Sequence, residues 1–141
     1  MVYTGEISEL GPNDIFVFGS NTQGRHGKGA ALFARKQCGA IYGNPRGRQG
    51  QSYAIVTKDL TMDYDLPSVP KESIKSEITT LYEYALANPD LHFLIAYKGS
   101  GINLNNYPSK EIAELFYSES IPSNIVFEKE FSELVNIKGG K

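Results

Sequence analysis

Short apolar runs of the kind found in buried strands alternate along this chain with segments of helical pattern. The runs lie at 14–19 (DIFVFG), 52–57 (SYAIVT), 91–97 (LHFLIAY) and 124–128 (NIVFE). Helical patterns follow at 29–39, 71–88 and 109–119, and 131–137 fits a short helix or an edge strand. This alternation predicts an α/β fold, a three-layer α/β/α sandwich with a mixed, largely parallel central sheet.

The helix at 71–88 has the clearest pattern. Pro70 stands at its entrance, and one apolar stripe is predicted along it, formed by Ile74, Ile78, Leu81, Ala85 and Leu86. Gly39 fits the residue after the end of the first helix, and Ser109 fits an N-cap. The composition of 43–51 (GNPRGRQGQ) predicts a loop.

A chain of 141 residues without repeats predicts a single domain over 1–141, with a frayed end at 138–141. The apolar runs are too short to cross a bilayer, and the N-terminal residues do not resemble a secretory signal, so no membrane partner is expected. The single cysteine, Cys38, fits a reducing compartment, and a cytoplasmic location is predicted. Two histidines and one cysteine offer no zinc-ligand spacing, so no metal or cofactor is expected.

Charge is distributed unevenly along the chain, although the net charge is only −2. Between Ile15 and Lys58 there is no Asp or Glu, yet seven of the fourteen Lys and Arg residues lie there. Thirteen of the sixteen acids come after Lys58. A local anion site explains this pattern, and so does a set of solvated bases that pair with the acidic remainder of the chain.

Two Gly-rich loops follow predicted strands, one at 19–29 and one at 98–107. Glycine lets backbone N–H groups approach a phosphate, and the helix after the first loop adds partial positive charge at its N-terminus. The spacing matches neither the P-loop nor the dinucleotide fingerprint. An anion-binding loop and an ordinary tight turn are therefore both compatible with the first loop.

Individual side chains carry weaker signals. His26 in the first loop fits a general base or a solvated side chain, and Ser100 in "GSG" resembles a nucleophile turn only superficially. Asp63 and Asp65 fit a metal chelate or an acidic surface loop. His92 and Cys38 are interpreted as structural residues, His92 in a strand and Cys38 in the core.

Several motifs resemble the macrodomain family. "GEISELGPNDIFVFGSN" (5–21) resembles the family's opening segment, in which Gly5, Ile7, Asp14, Val17 and Asn21 match. "GKGAALFARKQCG" (27–39) is similar to its first phosphate loop and helix, and "LIAYKGSGINLNNYPSKEIAELF" (94–116) to its central strand, second phosphate loop and next helix. Three longer motifs, "FGSNxxGRHGxGAA" (18–31), "GQSYAIxTKD" (50–59) and "GxGI…EIAxLF" (99–116), together resemble a narrower group of phage-associated, macrodomain-type proteins. This resemblance implies a host-cytoplasmic location if the chain is phage-encoded.

The resemblance implies binding of ADP-ribose or a related nucleotide, without a metal in most members. It implies that Gly27, Lys28, Gly29 and Ala30 line one side of the diphosphate, that Gly99, Ser100, Gly101 and Ile102 close over the other, and that Asn21 lies near the distal ribose. The full set of expected ligand-binding residues is Gly19, Ser20, Asn21, Gly24, Arg25, His26, Gly27, Lys28, Gly29, Ala30, Lys98, Gly99, Ser100, Gly101 and Ile102.

The chain departs from the family pattern at three places. Glu6 replaces the aspartate that recognises adenine in the family, and Phe18 replaces the first asparagine of the family's "VNAAN" element, whose last asparagine matches Asn21. The loop "GRHGKGA" (24–30) carries more positive charge than the family's loop, which suits a ligand with a further phosphate. No acid accompanies Asn21 in the sequence as a catalytic partner.

The resemblance implies two alternative functions, and the charge pattern allows a third. The first is a binding module that captures an ADP-ribose-derived nucleotide and sequesters a nucleotide signal. The second is an enzyme, an ADP-ribosyl hydrolase or an ADP-ribose 1″-phosphate phosphatase, with Asn21 and His26 as its only candidate catalytic residues. The third function is binding of single-stranded nucleic acid by the basic segment 15–58 together with Tyr42, Tyr53 and Phe33. The acidic remainder of the chain counts against nucleic-acid binding. The oligomeric state is left open.

Overall fold

The computed structural model describes residues 2–24, 29–58, 69–97 and 107–140. In these ranges the chain forms an α/β fold of six strands and four helices. The strands are β1 (Val2–Tyr3), β2 (Asp14–Asn21), β3 (Gly47–Gln49), β4 (Ser52–Lys58), β5 (His92–Ile95) and β6 (Ile125–Glu128). The helices are α1 (Gly29–Gln37), α2 (Lys71–Ala87), α3 (Ser109–Phe116) and α4 (Lys129–Gly140).

The strands form one sheet in the order β1-β6-β5-β2-β4-β3. Neighbouring strands are parallel except β3 and β4, which pair antiparallel. The prediction of a mixed, largely parallel sheet is thus confirmed. β2 lies between β5 and β4, and it is buried from Ile15 to Asn21 because both of its edges are paired and both of its faces are covered.

Helices α2, α3 and α4 cover one face of the sheet. Alternate strand residues such as Val17, Ile55 and Phe93 point to this face and pack with residues of these three helices. The helix residues of this core include Ile74, Ile78, Leu81, Tyr82, Ala85, Ile112, Ala113, Phe116, Phe131 and Val135. Burial of each large apolar side chain contributes about 1.5–3 kcal/mol before the entropy cost of ordering it.

Helix α1 covers the opposite face. Phe16, Phe18 and Ala54 of the strands pack there with Ala31 and Ala34 of the helix. Cys38 is buried in the same cluster, which confirms its interpretation as a core residue, and Ile7 and Leu10 pack against the cluster's edge. Helices therefore cover both faces, as in a three-layer α/β/α sandwich.

The helices differ from the sequence predictions in several details. In α2 the residues Ile74, Ile78, Leu81 and Ala85 are buried as predicted, but Leu86 is 67% exposed. Leu86 directly follows Ala85, and one residue turns a helix by about 100°, which carries it off the stripe. No helix within the described ranges is long and apolar enough to span a membrane.

Three predicted boundaries also shift. Helix α3 begins at Ser109 itself, with Pro108 in the N-cap position, so the assignment of Ser109 as the N-cap is wrong. The segment 131–137 belongs to α4, which begins at Lys129 and continues to Gly140, into the residues for which a frayed end was predicted. Gly39 adopts φ +83° after α1, as a residue at that position requires.

The segment 43–51, predicted as a loop, contains strand β3 at Gly47–Gln49. Its backbone pairs with Ser52–Ala54 of β4, and the turn between the two strands includes Gly50 at φ +59°. Buried Gln49 stabilises this hairpin, because its side chain accepts a hydrogen bond from the Ile41 N–H at 2.7 Å and donates to Asn44 O at 3.1 Å. The glycine- and arginine-rich composition of β3 does not predict a strand, and the strand is recognised only by its pairing with β4.

Candidate functional site

Three neighbouring parallel strands, β5, β2 and β4, end side by side at one edge of the sheet. Ile95 lies opposite Val17 of β2, and Val56 of β4 lies opposite Ser20. The chain therefore enters both Gly-rich loops, as well as the segment 59–68, from the same edge. In parallel α/β sheets ligands bind beyond the carboxyl ends of the strands, so this edge is the candidate site.

The last residues of β2 place polar groups just beneath this edge. Ser20 is fully buried and Asn21 is 7% exposed. The buried hydroxyl of Thr57 in β4 donates to the backbone oxygen of Ser20 at 3.4 Å. Thr57 is not among the site residues predicted from the sequence, although its position as the polar residue that ends the apolar run "YAIV" is a signal for it.

Asn21 shapes the turn that leads into the first Gly-rich loop. Its side-chain oxygen accepts a hydrogen bond from the Gln23 N–H at 3.2 Å, and its backbone oxygen accepts one from the Gly24 N–H at 3.0 Å. This is the pattern of an Asx turn, in which asparagine fixes its own following backbone. Asn21 thus has a structural role in aiming the chain into the loop.

Gly24 anchors the same turn against a second segment of chain. Its φ is +66°, and a Cβ placed there would lie 2.6 Å from both the Gly43 carbonyl carbon and the Asn44 nitrogen. The Gly43 N–H donates to the Gly24 carbonyl oxygen at 2.9 Å. Only glycine fits this position, because any side chain meets backbone atoms that cannot rotate away.

Helix α1 begins at Gly29, directly after the first loop, and Ala30 is its second residue. Its first turn contains no acidic residue, whereas the first turns of α2 and α3 contain Glu72 and Glu111. The free N–H groups of a helix start carry partial positive charge, which an acidic side chain partly neutralises. The start of α1 therefore keeps its capacity to attract an anion.

The starts of α2 and α3 are joined by side chains. Lys71 Nζ lies 2.8 Å from Glu111 Oε1 and 5.6 Å from the centre of the Tyr107 ring. The hydrogen bond to Glu111, together with its negative charge, raises the pKa of Lys71. The Tyr107 hydroxyl donates to Val69 O at 3.2 Å, so the last residue of the second Gly-rich loop is held against the chain that precedes α2.

Part of the predicted site lies outside the described residues. This applies to Arg25, His26, Gly27 and Lys28 of the first loop, to Lys98, Gly99, Ser100, Gly101 and Ile102 of the second, and to Asp63 and Asp65. The candidates that the structure does describe are brought together at the end of β2 and the start of α1: Gly19, Ser20, Asn21, Gly24, Gly29 and Ala30.

Other positions singled out in the sequence lie elsewhere. Phe18 is fully buried and stacks with Phe16 beneath α1, so its ring is part of the core. Glu6 is exposed on the segment between β1 and β2. His92 is half-exposed at the opposite end of the sheet, where its Nδ1 lies 3.5 Å from Asp14 Oδ1 beside a groove of about 310 Å³.

The three aromatic residues considered for nucleic-acid stacking do not share a surface that could stack bases. Tyr53 is buried at 6% exposure among the residues beneath α2, and Phe33 packs edge-on against Phe16 at 5.0 Å. Only Tyr42 is exposed. A binder of single strands needs several accessible rings along a basic groove, so the structure removes the aromatic part of this hypothesis.

The described part of the edge contains glycines and the buried polar side chains of Ser20, Asn21 and Thr57. Among the residues placed by the structure, no group of three or more His, Cys, Asp or Glu is arranged to hold a metal ion.

No protein-family model, curated protein or solved structure matches this chain.

Proposed function

We propose that this protein has a macrodomain-like fold and binds ADP-ribose or a related ADP-ribose-derived nucleotide, with the diphosphate between the two Gly-rich loops. The observation that carries the proposal is the parallel pairing of β2 with β5. Because Val17 and Ile95 are register partners, the loops that follow the two strands begin from adjacent positions at one edge. Loops that start close together are well placed to contact one ligand with two linked phosphates.

The start of α1 supports an anionic ligand. The helix begins at Gly29 without an acid in its first turn, and sequence neighbours Arg25 and Lys28 add positive charge. A diphosphate at a helix N-terminus gains from the unpaired N–H groups and from the helix dipole together. The extra bases also suit a ligand with a further phosphate, such as ADP-ribose 1″-phosphate.

Hydrolysis of an ADP-ribose derivative is the alternative function. Of its two candidate catalytic residues, Asn21 is buried and uses its side-chain oxygen to hold the turn at Gln23. A residue engaged in this way is poorly placed to orient an attacking water. This geometry counts against Asn21 as a catalytic residue, and sequestration of a nucleotide signal is the role that we propose for the binding.

Isothermal titration tests the proposal directly. The purified protein is titrated with ADP-ribose, its cyclic isomers and ADP-ribose 1″-phosphate, with ATP and NAD as controls. Each ligand is then recovered, and its mass is measured to detect cleavage. We expect binding of at least one ADP-ribose derivative and recovery of the intact ligand. Cleavage of a bound ligand would replace capture by hydrolysis, and absence of binding to all of them would reject the ADP-ribose proposal.

Ala30→Asp and Ala30→Asn form a matched pair that locates the diphosphate. Both side chains have nearly the same shape and strain the half-buried position equally, but only aspartate places a negative charge in the first turn of α1. A carboxylate about 5 Å from a phosphate costs about 1–3 kcal/mol, so we expect about 5- to 150-fold weaker binding for Ala30→Asp than for Ala30→Asn. Equal affinities would place the phosphates elsewhere.

A further inference from the structure

Two exposed surfaces on opposite sides of the sheet have complementary properties. The first, here called the basic α1 surface, consists of Arg35, Lys36, Ile41 and Tyr42. The second, here called the acidic α2 end, consists of Glu83, Leu86 and Asp90. Neither belongs to the candidate ligand site.

The basic α1 surface combines apolar area with charge that is not neutralised. Ile41 is 58% exposed and Tyr42 57% exposed, and the Arg35 guanidinium lies over the Tyr42 ring at 5.6 Å from its centre. Among the described residues, neither Arg35 nor Lys36 forms an ion pair. Tyrosine and arginine are among the residues that contribute most of the binding energy at protein interfaces.

The acidic α2 end has the opposite charge. Leu86 is 67% exposed, and Glu83 lies three residues earlier, on the same face of the helix. The last turn of α2 contains no basic residue, so no cation of the helix itself offsets the negative end of its dipole, although Asn124 Nδ2 donates to Ala85 O there at 3.0 Å. Glu83 and Asp90 form no ion pair within the described ranges.

The two surfaces cannot meet within one molecule. Helix α1 packs on the face of the sheet that includes Phe16 and Phe18, whereas α2 packs on the face that includes Val17 and Ile55. A symmetric contact between two basic α1 surfaces would bring like charges together. Contact between the basic surface of one copy and the acidic end of another joins opposite charges and covers the exposed apolar side chains.

We propose that the chain associates with further copies of itself head to tail, with the basic α1 surface of one copy on the acidic α2 end of the next. This inference is independent of nucleotide binding. A contact of this kind is heterologous, so it extends to longer assemblies or closes into a ring. It depends on exposed charges and therefore weakens as salt screens them.

Analytical ultracentrifugation of the whole chain tests this association. We expect the mean mass to rise with protein concentration at about 50 mM salt, and an at least tenfold weaker association at about 500 mM salt. A double variant Arg35→Glu/Tyr42→Ser and a second double variant Glu83→Lys/Leu86→Ser each lack one surface. Both sets of changes are at exposed positions, so both variants are expected to fold.

Mixing the two variants gives the decisive result. Each variant alone is expected to stay monomeric, while an equimolar mixture forms a one-to-one dimer, because one intact surface remains on each partner. The control Val2→Ser/Lys110→Glu changes one exposed apolar and one exposed basic residue outside both surfaces and is expected to associate like the unmodified chain. Monomers at every concentration at low salt, or a mixture that stays monomeric, would overturn the proposal. So would association that the two double variants do not weaken.

Discussion

At the residue scale, Gly24 determines how the first Gly-rich loop begins. It is held at φ +66° against the backbone of Gly43 and Asn44, so Gly24→Ala combines two penalties. The left-handed conformation costs a residue with a Cβ about 1–2 kcal/mol. The contacts at 2.6 Å also force the turn and the segment 43–44 apart. We expect a total loss of about 3 kcal/mol in the free energy of unfolding, measured by urea denaturation.

Gly43→Ala is the matched control for this prediction. Gly43 has φ +95°, but a Cβ there would meet no atom within 4 Å, so the substitution has the conformational penalty without the clash. Gly43→Ala should therefore cost only about 1–2 kcal/mol. If the two variants were equally stable, the close packing of the two turns would be contradicted.

Residue roles at the site could be predicted only in part from the sequence. The glycines and Asn21 were identified because their types suit a phosphate loop. That Asn21 is buried and bonds the Gln23 N–H, and that Thr57 bonds Ser20, depends on the pairing of β2 with β4. These contacts join residues that are distant in the chain, and no local pattern encodes them.

At the element scale, α2 and α3 are joined by Lys75 in the second turn of α2. Its Nζ donates to Leu115 O at 2.8 Å and to Tyr117 O at 3.0 Å, two carbonyl groups at the C-terminal end of α3. The last carbonyls of a helix lack partners within it, and a cation there also balances the helix dipole. Lys75→Met keeps the aliphatic stem but removes both hydrogen bonds. We expect a loss of about 1–2 kcal/mol in thermal or urea unfolding.

Lys71→Met provides the comparison for Lys75→Met. Lys71 lies on the same helix and pairs with Glu111, but it is exposed, and such surface pairs contribute little to stability. We expect no clear change in unfolding from Lys71→Met. An equally small effect of Lys75→Met would show that water replaces its ammonium at the end of α3.

The long elements could be predicted from periodicity, and the short ones could not. The stripe of α2 and the apolar runs of β2 and β4 span enough residues for a pattern to emerge. Strand β1 has two residues and β3 has three, so neither holds a full alternation. Both exist because a longer neighbour, β6 or β4, offers a free edge for pairing.

At the scale of the whole molecule, the candidate site depends on strand order. Strand β5 follows both β2 and β4 in the sequence, yet it pairs with β2 and not with β4. This placement brings the two Gly-rich loops to adjacent starting points. The sequence predicted two loops after two strands, but it could not show that the strands are neighbours, because pairing between distant strands leaves no local signal.

Burial of one thiol and three tyrosine hydroxyl groups predicts that the fold loses stability at alkaline pH. Burial raises the pKa of the Cys38 thiol from 9.0 to about 11, and it also raises the pKa values of Tyr3, Tyr53 and Tyr82 above the ordinary 10.0. In the unfolded chain these groups lose their protons at lower pH than in the fold. The unfolded state therefore binds fewer protons, and the free energy of unfolding falls as pH rises above 9. Lys75, whose pKa is lowered by burial, acts in the opposite sense but is a single group.

Cys38→Ala isolates the thiol's part of this pH dependence. Stability that depends on the thiol is fully present below pH 9.0 and is lost progressively as pH rises toward about 11. We expect the variant, measured by urea unfolding under reducing conditions, to lose less stability than the unmodified chain between those two pH values. The comparison uses the slope with pH, because the substitution also removes packing around a buried side chain. Above pH 11 the thiol no longer contributes to the pH dependence, whereas Tyr3, Tyr53 and Tyr82 contribute in both proteins. The slopes of unfolding free energy against pH should therefore become equal there. Parallel curves of unfolding free energy against pH would mean that the thiol ionises equally easily in the folded and unfolded chain. That result would contradict the effect of burial on the pKa of Cys38.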